Sequence, residues 1–238
     1  MDSILVLGFL VGMQHALEAD HIAAVASIAT GERSIRRIVR HGVTWGLGHT
    51  LSLLLFGGTV VLLGAAVPHE LARGLEFAVG VMLIVLGGWV LRRLVRDRIH
   101  VHIHSHDDGV VHVHAHSHAG DSNRHGTGRH EHTHPPGIPF RTWLIGMMHG
   151  MAGSAALLLL TAASIGSAPL GLLYIALFGV GSIMGMAALS TVIAVPLSYS
   201  ARALTRAHRG LQAAIGLVTV LIGTGIVYET TLADWIGA

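Results

Sequence analysis

The stretch ILVLGFLVGMQHALEADHIAAVASIA, residues 4–29, is long and apolar enough to cross a bilayer, yet His15, Glu18, Asp20 and His21 fall in its middle. A spanning helix needs about 20 mostly apolar residues. An ionisable side chain at bilayer depth costs at least a few kcal/mol, so it marks a site or a pathway. A lone histidine there reads equally well as a hydrogen-bonded packing residue. Two acids beside two imidazoles do not, because the burial cost is incurred several times over. At about 100° per residue, His15, Glu18 and His21 share a stripe about 120° wide, while Asp20 lies about 100° beyond His21. An ideal helix cannot aim all four at one ion. The spacing therefore predicts a local break in this span, or a role for Asp20 in orienting a ligand histidine.

Five further apolar runs follow, at 43–66, 74–91, 142–165, 170–197 and 211–228. Each is long enough to span with a few residues of latitude at its ends. Only 12% of the 238 residues are charged, about half the share of a soluble domain, which excludes an ordinary soluble enzyme. There is no Cys, so disulfides, thiolate metal sites and iron–sulfur clusters are excluded too. No basic segment precedes the first run, and no cleavable signal peptide is expected.

All fifteen basic residues are Arg. Fourteen of them fall in the loop 31–42, after the third run, in the long middle loop, or in the loop 198–210; only Arg73 lies on the other side. Positive charge stays cytoplasmic, so the expected protein has six spans, both termini outside and the middle loop in the cytoplasm. Arg distributed along membrane loops is not a nucleic-acid face, despite a sequence pI of about 9.7.

The two halves resemble each other. Gly12-Met-Gln-His15 matches Gly146-Met-Met-His149, Gly46-Leu-Gly48 matches Gly179-Val-Gly181, and Gly74 to Gly80 matches Gly210 to Gly216, at offsets of 134, 133 and 136. Three spans per half is an odd number, so the second half enters inverted, the arrangement of transporters that bind cargo near the midplane. The expected fold is all-α and polytopic: six transmembrane helices as two inverted three-helix repeats, 1–98 and 138–238, joined by a loop at 99–137.

His49 and His149 are ionisable residues of the second and fourth spans. With His15, Glu18, Asp20 and His21 they form a nitrogen and oxygen set that suits Ni, Co, Zn or Cu better than Mg or Ca. The nearby thioethers of Met13, Met147 and Met151 read as apolar packing. Twelve of the nineteen His lie in the 99–137 loop, where HVHIHSH (100–106) nearly recurs as HVHAHSH (112–118). The alternation permits a hairpin turning at Asp108-Gly109. Such a hairpin is marginal alone, so the loop is expected to be disordered without metal, with weak affinity for transition metals.

The His-x4-Asp-His signature within HALEADHIAA (15–24), the Gly-Leu-Gly-His-Thr run (46–50) and the His-rich middle loop resemble the nickel/cobalt transporter family, NiCoT. The compact six-span form, with GMMHGMAGS at 146–154, is most similar to that family's UreH-type urease accessory permeases. The resemblance implies uptake of Ni²⁺, with Co²⁺ as a second cargo, across the cytoplasmic (inner) membrane. It carries a metal-site role onto His15, Asp20 and His21, with Glu18 where the family usually has Asp.

Three functions are open on these residues. The first is a secondary importer of Ni²⁺ or Co²⁺ working by alternating access, with His15, Glu18, Asp20 and His21 binding the ion and His49 and His149 completing or gating the shell. The second is an efflux permease fed by the loop. The third is a non-transporting membrane adaptor holding metal for urease or hydrogenase maturation proteins. None is an enzyme: no catalytic cofactor is expected, and the metal is cargo. The expected partners are a divalent transition-metal ion and the lipid bilayer, with no nucleic acid.

Overall fold

The computed structural model describes residues 2–32, 34–63, 68–96, 100–105, 111–116, 139–151, 161–162, 164–203 and 205–236. Apart from short turns and one hairpin, these residues are helical. The helices are α1 (Asp2–His15), α2 (Ala19–Ala29), α3 (Ile35–Leu63), α4 (His69–Arg96), α5 (Phe140–Gly150), α6 (Ala168–Ala203) and α7 (Thr205–Ile236). Four of them, α3, α4, α6 and α7, are long and apolar enough to cross a membrane, as in a membrane protein. The outside is apolar: Leu7, Leu55, Leu62, Val85, Val192 and Leu221 are exposed, whereas His15, His21, His49, His149, Ser27, Ser182, Ser190 and Thr219 are buried. That inversion of the soluble pattern suits a chain whose solvent is lipid.

The first apolar run is not one helix. α1 stops at His15 and α2 starts at Ala19, with Glu18 in extended backbone at φ −64° and ψ 148°. The short bonds Leu17 N–H to Gln14 C=O and Glu18 N–H to His15 C=O close α1, and Ile22 N–H to Glu18 C=O opens α2. Neither Pro nor Gly occupies the break. Acidic Asp20 sits in the first turn of α2, where carboxylates favour a helix start.

Two expected loops are largely helical. The segment 31–42 enters α3 at Ile35, and 198–210 is helix up to Ala203 and again from Thr205. Arg-rich sequence reads as loop, but long Arg stems can lie along a helix and carry their charge to the interface. Between α4 and α5, β1 (His100–Ser105) and β2 (Val111–His116) pair antiparallel, with His100 opposite His116, His102 opposite His114 and His104 opposite His112. The expectation of disorder covers the whole of 99–137; apart from these two paired strands, that loop lies outside the described residues.

α4 packs on α7, α3 on α6, α1 on α6, α5 on α3, and α2 on α7. Glycines set these distances, as small residues do between membrane helices. A methyl group at Gly48 would collide with the backbone of Trp143 and Met147, and one at Gly181 with the backbone of Phe9 and Met13. Gly12 meets the backbone of Phe178, and Gly146 that of Trp45. Gly80 faces Gly223, and Gly87 faces Gly216.

One helix supplies its own control. A Cβ at Gly87 would stand 2.6 Å from the Gly216 carbonyl oxygen, whereas nothing lies within 4 Å of one at Gly88. Gly87→Ala is expected to destabilise the α4–α7 contact by about 1–3 kcal/mol. Gly88→Ala should be neutral or slightly stabilising. Thermal unfolding in detergent, with the two variants side by side, checks this.

Candidate metal centre

The break in the first run aims its ionisable groups inward. His15 ends α1, while Asp20 and His21 begin α2. His49 comes from the middle of α3 and His149 from the last turn of α5. α5 approaches closely because Gly146 and Gly150 lie against the backbone of Trp45 and His49. All four imidazoles are buried. The His21 ring centroid is 4.5 Å from that of His15, 4.2 Å from that of His149 and 5.4 Å from that of His49, and His15 and His49 are 5.1 Å apart.

Each carboxylate holds imidazoles by one edge. Glu18 Oε1 accepts from His15 Nδ1 at 2.8 Å. Asp20 Oδ1 accepts from His21 Nδ1 at 3.0 Å and from the His21 backbone N–H at 2.8 Å, while Oδ2 accepts from His149 Nε2 at 3.0 Å. An ionised carboxylate only accepts, so the bonded ring nitrogen carries the proton and the other nitrogen of a neutral ring is a bare lone pair. His21 Nε2, both nitrogens of His49 and His149 Nδ1 are buried with no hydrogen-bond partner. Buried polar atoms are normally paired, so four such atoms in one cluster ask for an explanation. A cation supplies one for the three lone pairs among them, on His21, His49 and His149; the fourth atom is the N–H of His49.

Two groups of ligand atoms lie within 4.8 Å of one another: one each from His15, His21 and His49, and one each from Asp20, His21 and His149. Thus the structure gathers His15, Asp20, His21, His49 and His149. Glu18 is set apart. It is bonded to His15, but its side chain is 44% exposed, against 24% for Asp20. Imidazole held by carboxylate at its far nitrogen is the usual support of a metal-binding histidine.

Two aromatic residues that the sequence reading passed over enclose the cluster. Phe178 lies 5.2 Å from the His15 ring, and Trp45 lies 5.4 Å from the His149 ring. Trp45 belongs to one apolar core, with Met186 and Leu189, and Phe178 to another, with Leu53 and Tyr174. A signal for them existed: each directly precedes the first glycine of the matched segments Gly46-Leu-Gly48 and Gly179-Val-Gly181.

The chain is 35% identical to the urease accessory protein UreH of Bacillus sp. (strain TB-90) over an aligned length of 238 residues, covering 98% of this chain and 93% of that protein. It belongs to the UreH family. This UreH-family chain is also 25% identical, over 92% of its length, to two chloroplast proteins of Arabidopsis thaliana, FOR GROWTH AND FERTILITY 1 and 2. It spans 57% and 55% of those two proteins. No protein-family model and no solved structure matches it.

Proposed function

We propose that this UreH-family chain is a nickel permease of the NiCoT type, importing Ni²⁺, with Co²⁺ as a second cargo, across the cytoplasmic membrane by alternating access. The ion sits on His15, His21 and His49. Glu18 and Asp20 hold two of those rings, and His149 bonds Asp20 beside them. The observation that carries the reading is the set of buried imidazole nitrogens without partners, in a chain whose apolar helices fit a membrane. The UreH relative, named as a urease accessory protein, favours nickel among the borderline metals and urease maturation as the downstream process.

In this reading the chain has six spans in two inverted repeats, with the His-rich 99–137 loop, the Arg-rich face in the cytoplasm and both termini outside. The helix contacts support the repeat, because they come in pairs that exchange under nearly equal shifts. Adding 133 to Gly48 gives Gly181, and adding 134 to Phe9 and Met13 gives Trp143 and Met147. The contact Gly48–Trp143–Met147 thus has its counterpart in Gly181–Phe9–Met13. Likewise Gly80 and Gly87, shifted by 136, become Gly216 and Gly223, and each glycine meets the counterpart of the other. Two copies related by a two-fold make contacts of this reciprocal kind. An inside-negative potential drives a dication inward by roughly 4.6 kcal/mol per 100 mV, about three decades of accumulation.

The test is Ni²⁺ influx into proteoliposomes containing the purified protein. The permease reading expects saturable uptake that His15→Ala combined with Asp20→Ala removes; unchanged uptake in that variant overturns the site. The loop provides a second test. With all twelve His of 99–137 replaced by Asn, influx should fall by no more than about threefold, since a His-rich tract binds transition metals weakly. Intact influx with complete loss of nickel delivery to urease would instead favour the adaptor function.

A further inference from the structure

The two ligand groups share one residue, His21. From that sharing we infer that the cargo ion has two successive positions, one on His15, His21 and His49 and a second on His21, Asp20 and His149, and that it passes between them without leaving His21. The inference rests on the permease reading above and adds the second position and the order of use.

The geometry gives the two positions different surroundings. The His15 ring of the first lies against Phe178, and the His149 ring of the second lies against Trp45. These are counterpart places in the two halves: His15 and His149 are 134 residues apart, and Trp45 and Phe178 are 133 apart, the same shifts that relate the glycine contacts. Counterpart places in inverted repeats face opposite sides of a membrane. The heights of the aromatics agree. Gly46 packs on Ile183 and Thr50 bonds Gly179 of the antiparallel α6, so Phe178 stands level with residue 51 of α3. Trp45 and Phe178 are then six positions apart in height, about 9 Å at 1.5 Å per residue, with His49 between them. Trp45 lies toward the Arg-rich start of α3 and Phe178 toward the opposite end.

The hydrogen bonds assign the order. At the first position His21 Nε2 and both His49 nitrogens have no partner, so an ion binds without breaking a bond. At the second, Asp20 is already bonded to both His21 and His149, so those bonds must give way as the ion arrives. The first position offers open nitrogens in this conformation, whereas at the second His149 Nδ1 is also without a partner but the carboxylate is engaged. A dication leaving His15 and His49 exchanges two neutral ligands for a carboxylate and an imidazole. It therefore gains a compensating negative charge on the way to the Arg-rich side.

The inference separates binding from movement, and His149 is where they part. Equilibrium binding is read from the visible spectrum of Co²⁺ added to the full-length protein in detergent, its loop His replaced by Asn. Movement is read as Ni²⁺ influx into proteoliposomes. His49→Ala should weaken Co²⁺ binding at least tenfold. His149→Gln should leave Co²⁺ binding within about threefold of the parent and lower influx at least tenfold. Gln keeps an amide N–H near the place of Nε2, so it preserves the bond to Asp20 but is a poor metal ligand. Wild-type influx in His149→Gln would mean that His149 only positions Asp20, and would overturn the second position. So would a loss of Co²⁺ binding in His149→Gln equal to that in His49→Ala, which describes a single site. Full binding and influx in His49→Ala, or absence of influx in the parent, would fault the permease reading instead.

Discussion

His21→Ala is expected to abolish saturable Ni²⁺ influx and to weaken metal binding by at least about 100-fold, more than any other single substitution in the chain. Removing a residue that merely supports a metal ligand costs 10–100-fold, and His21 is itself a proposed ligand. It is fully buried, and it is the only residue present in both ligand groups found among the described residues. Its loss also strips a hydrogen bond from Asp20, a carboxylate only 24% exposed. The ring packs edge-on against His15 and His149, so the substitution opens a cavity as well. Gel filtration and helical circular dichroism must therefore match the parent before the loss is assigned to the metal. A His21→Ala protein that folds and still takes up Ni²⁺ at the parent rate would remove His21 from the site.

The second large effect contrasts two carboxylates from one motif. Asp20→Asn is expected to lower metal affinity and influx by about 10–100-fold. The Asp20 carboxylate serves three donors: His21 Nδ1, His21 N–H and His149 Nε2. The single carbonyl of Asn can keep the bonds to His21 only by turning its NH₂ toward His149, placing donor against donor. It also removes the negative charge nearest the cluster centre. Glu18→Gln retains a carbonyl for its one partner, His15 Nδ1, and turns its NH₂ away. Its side chain is 44% exposed, so the change should stay within about fivefold, in line with the small worth of a half-exposed pair. Ni²⁺ binding and influx measured for both variants check the ratio. Equal effects would mean that the charge of the motif matters and the placement of Asp20 does not.

The break at the centre of the first run was legible because four ionisable residues could not share one face of an ideal helix. The angular offset of Asp20 from His21 demanded either a break or an orienting role; the break is present, and Asp20 bonds both His21 and His149. The convergence of His49 and His149 on the first run was legible for a similar reason: imidazoles in otherwise apolar runs need partners, and the glycines beside them allow helices to approach. The unequal standing of Glu18 and Asp20 was not legible. Both belong to HALEADH, and which one turns inward depends on the backbone of residues 16–18, which carry neither Gly nor Pro to announce it. Trp45 and Phe178 were hidden because a large aromatic residue in an apolar span looks the same whether it faces lipid or a site. Only the position of each beside its matched glycine separates them from other apolar residues. The Arg-rich segments were misread as loops because charge density reports the membrane boundary, not where a helix ends.

The proposed site holds one dication within the membrane on imidazoles from three separate elements. X-ray absorption at the nickel edge, on Ni²⁺-loaded protein whose twelve loop His are replaced by Asn, tests it most directly. The expected result is one tightly held Ni²⁺ per chain, with the multiple-scattering signature of three imidazoles that drops to two in His49→Ala. A loop-substituted protein that retains no tightly bound Ni²⁺, or one whose imidazole count is unaltered by His49→Ala, would contradict it.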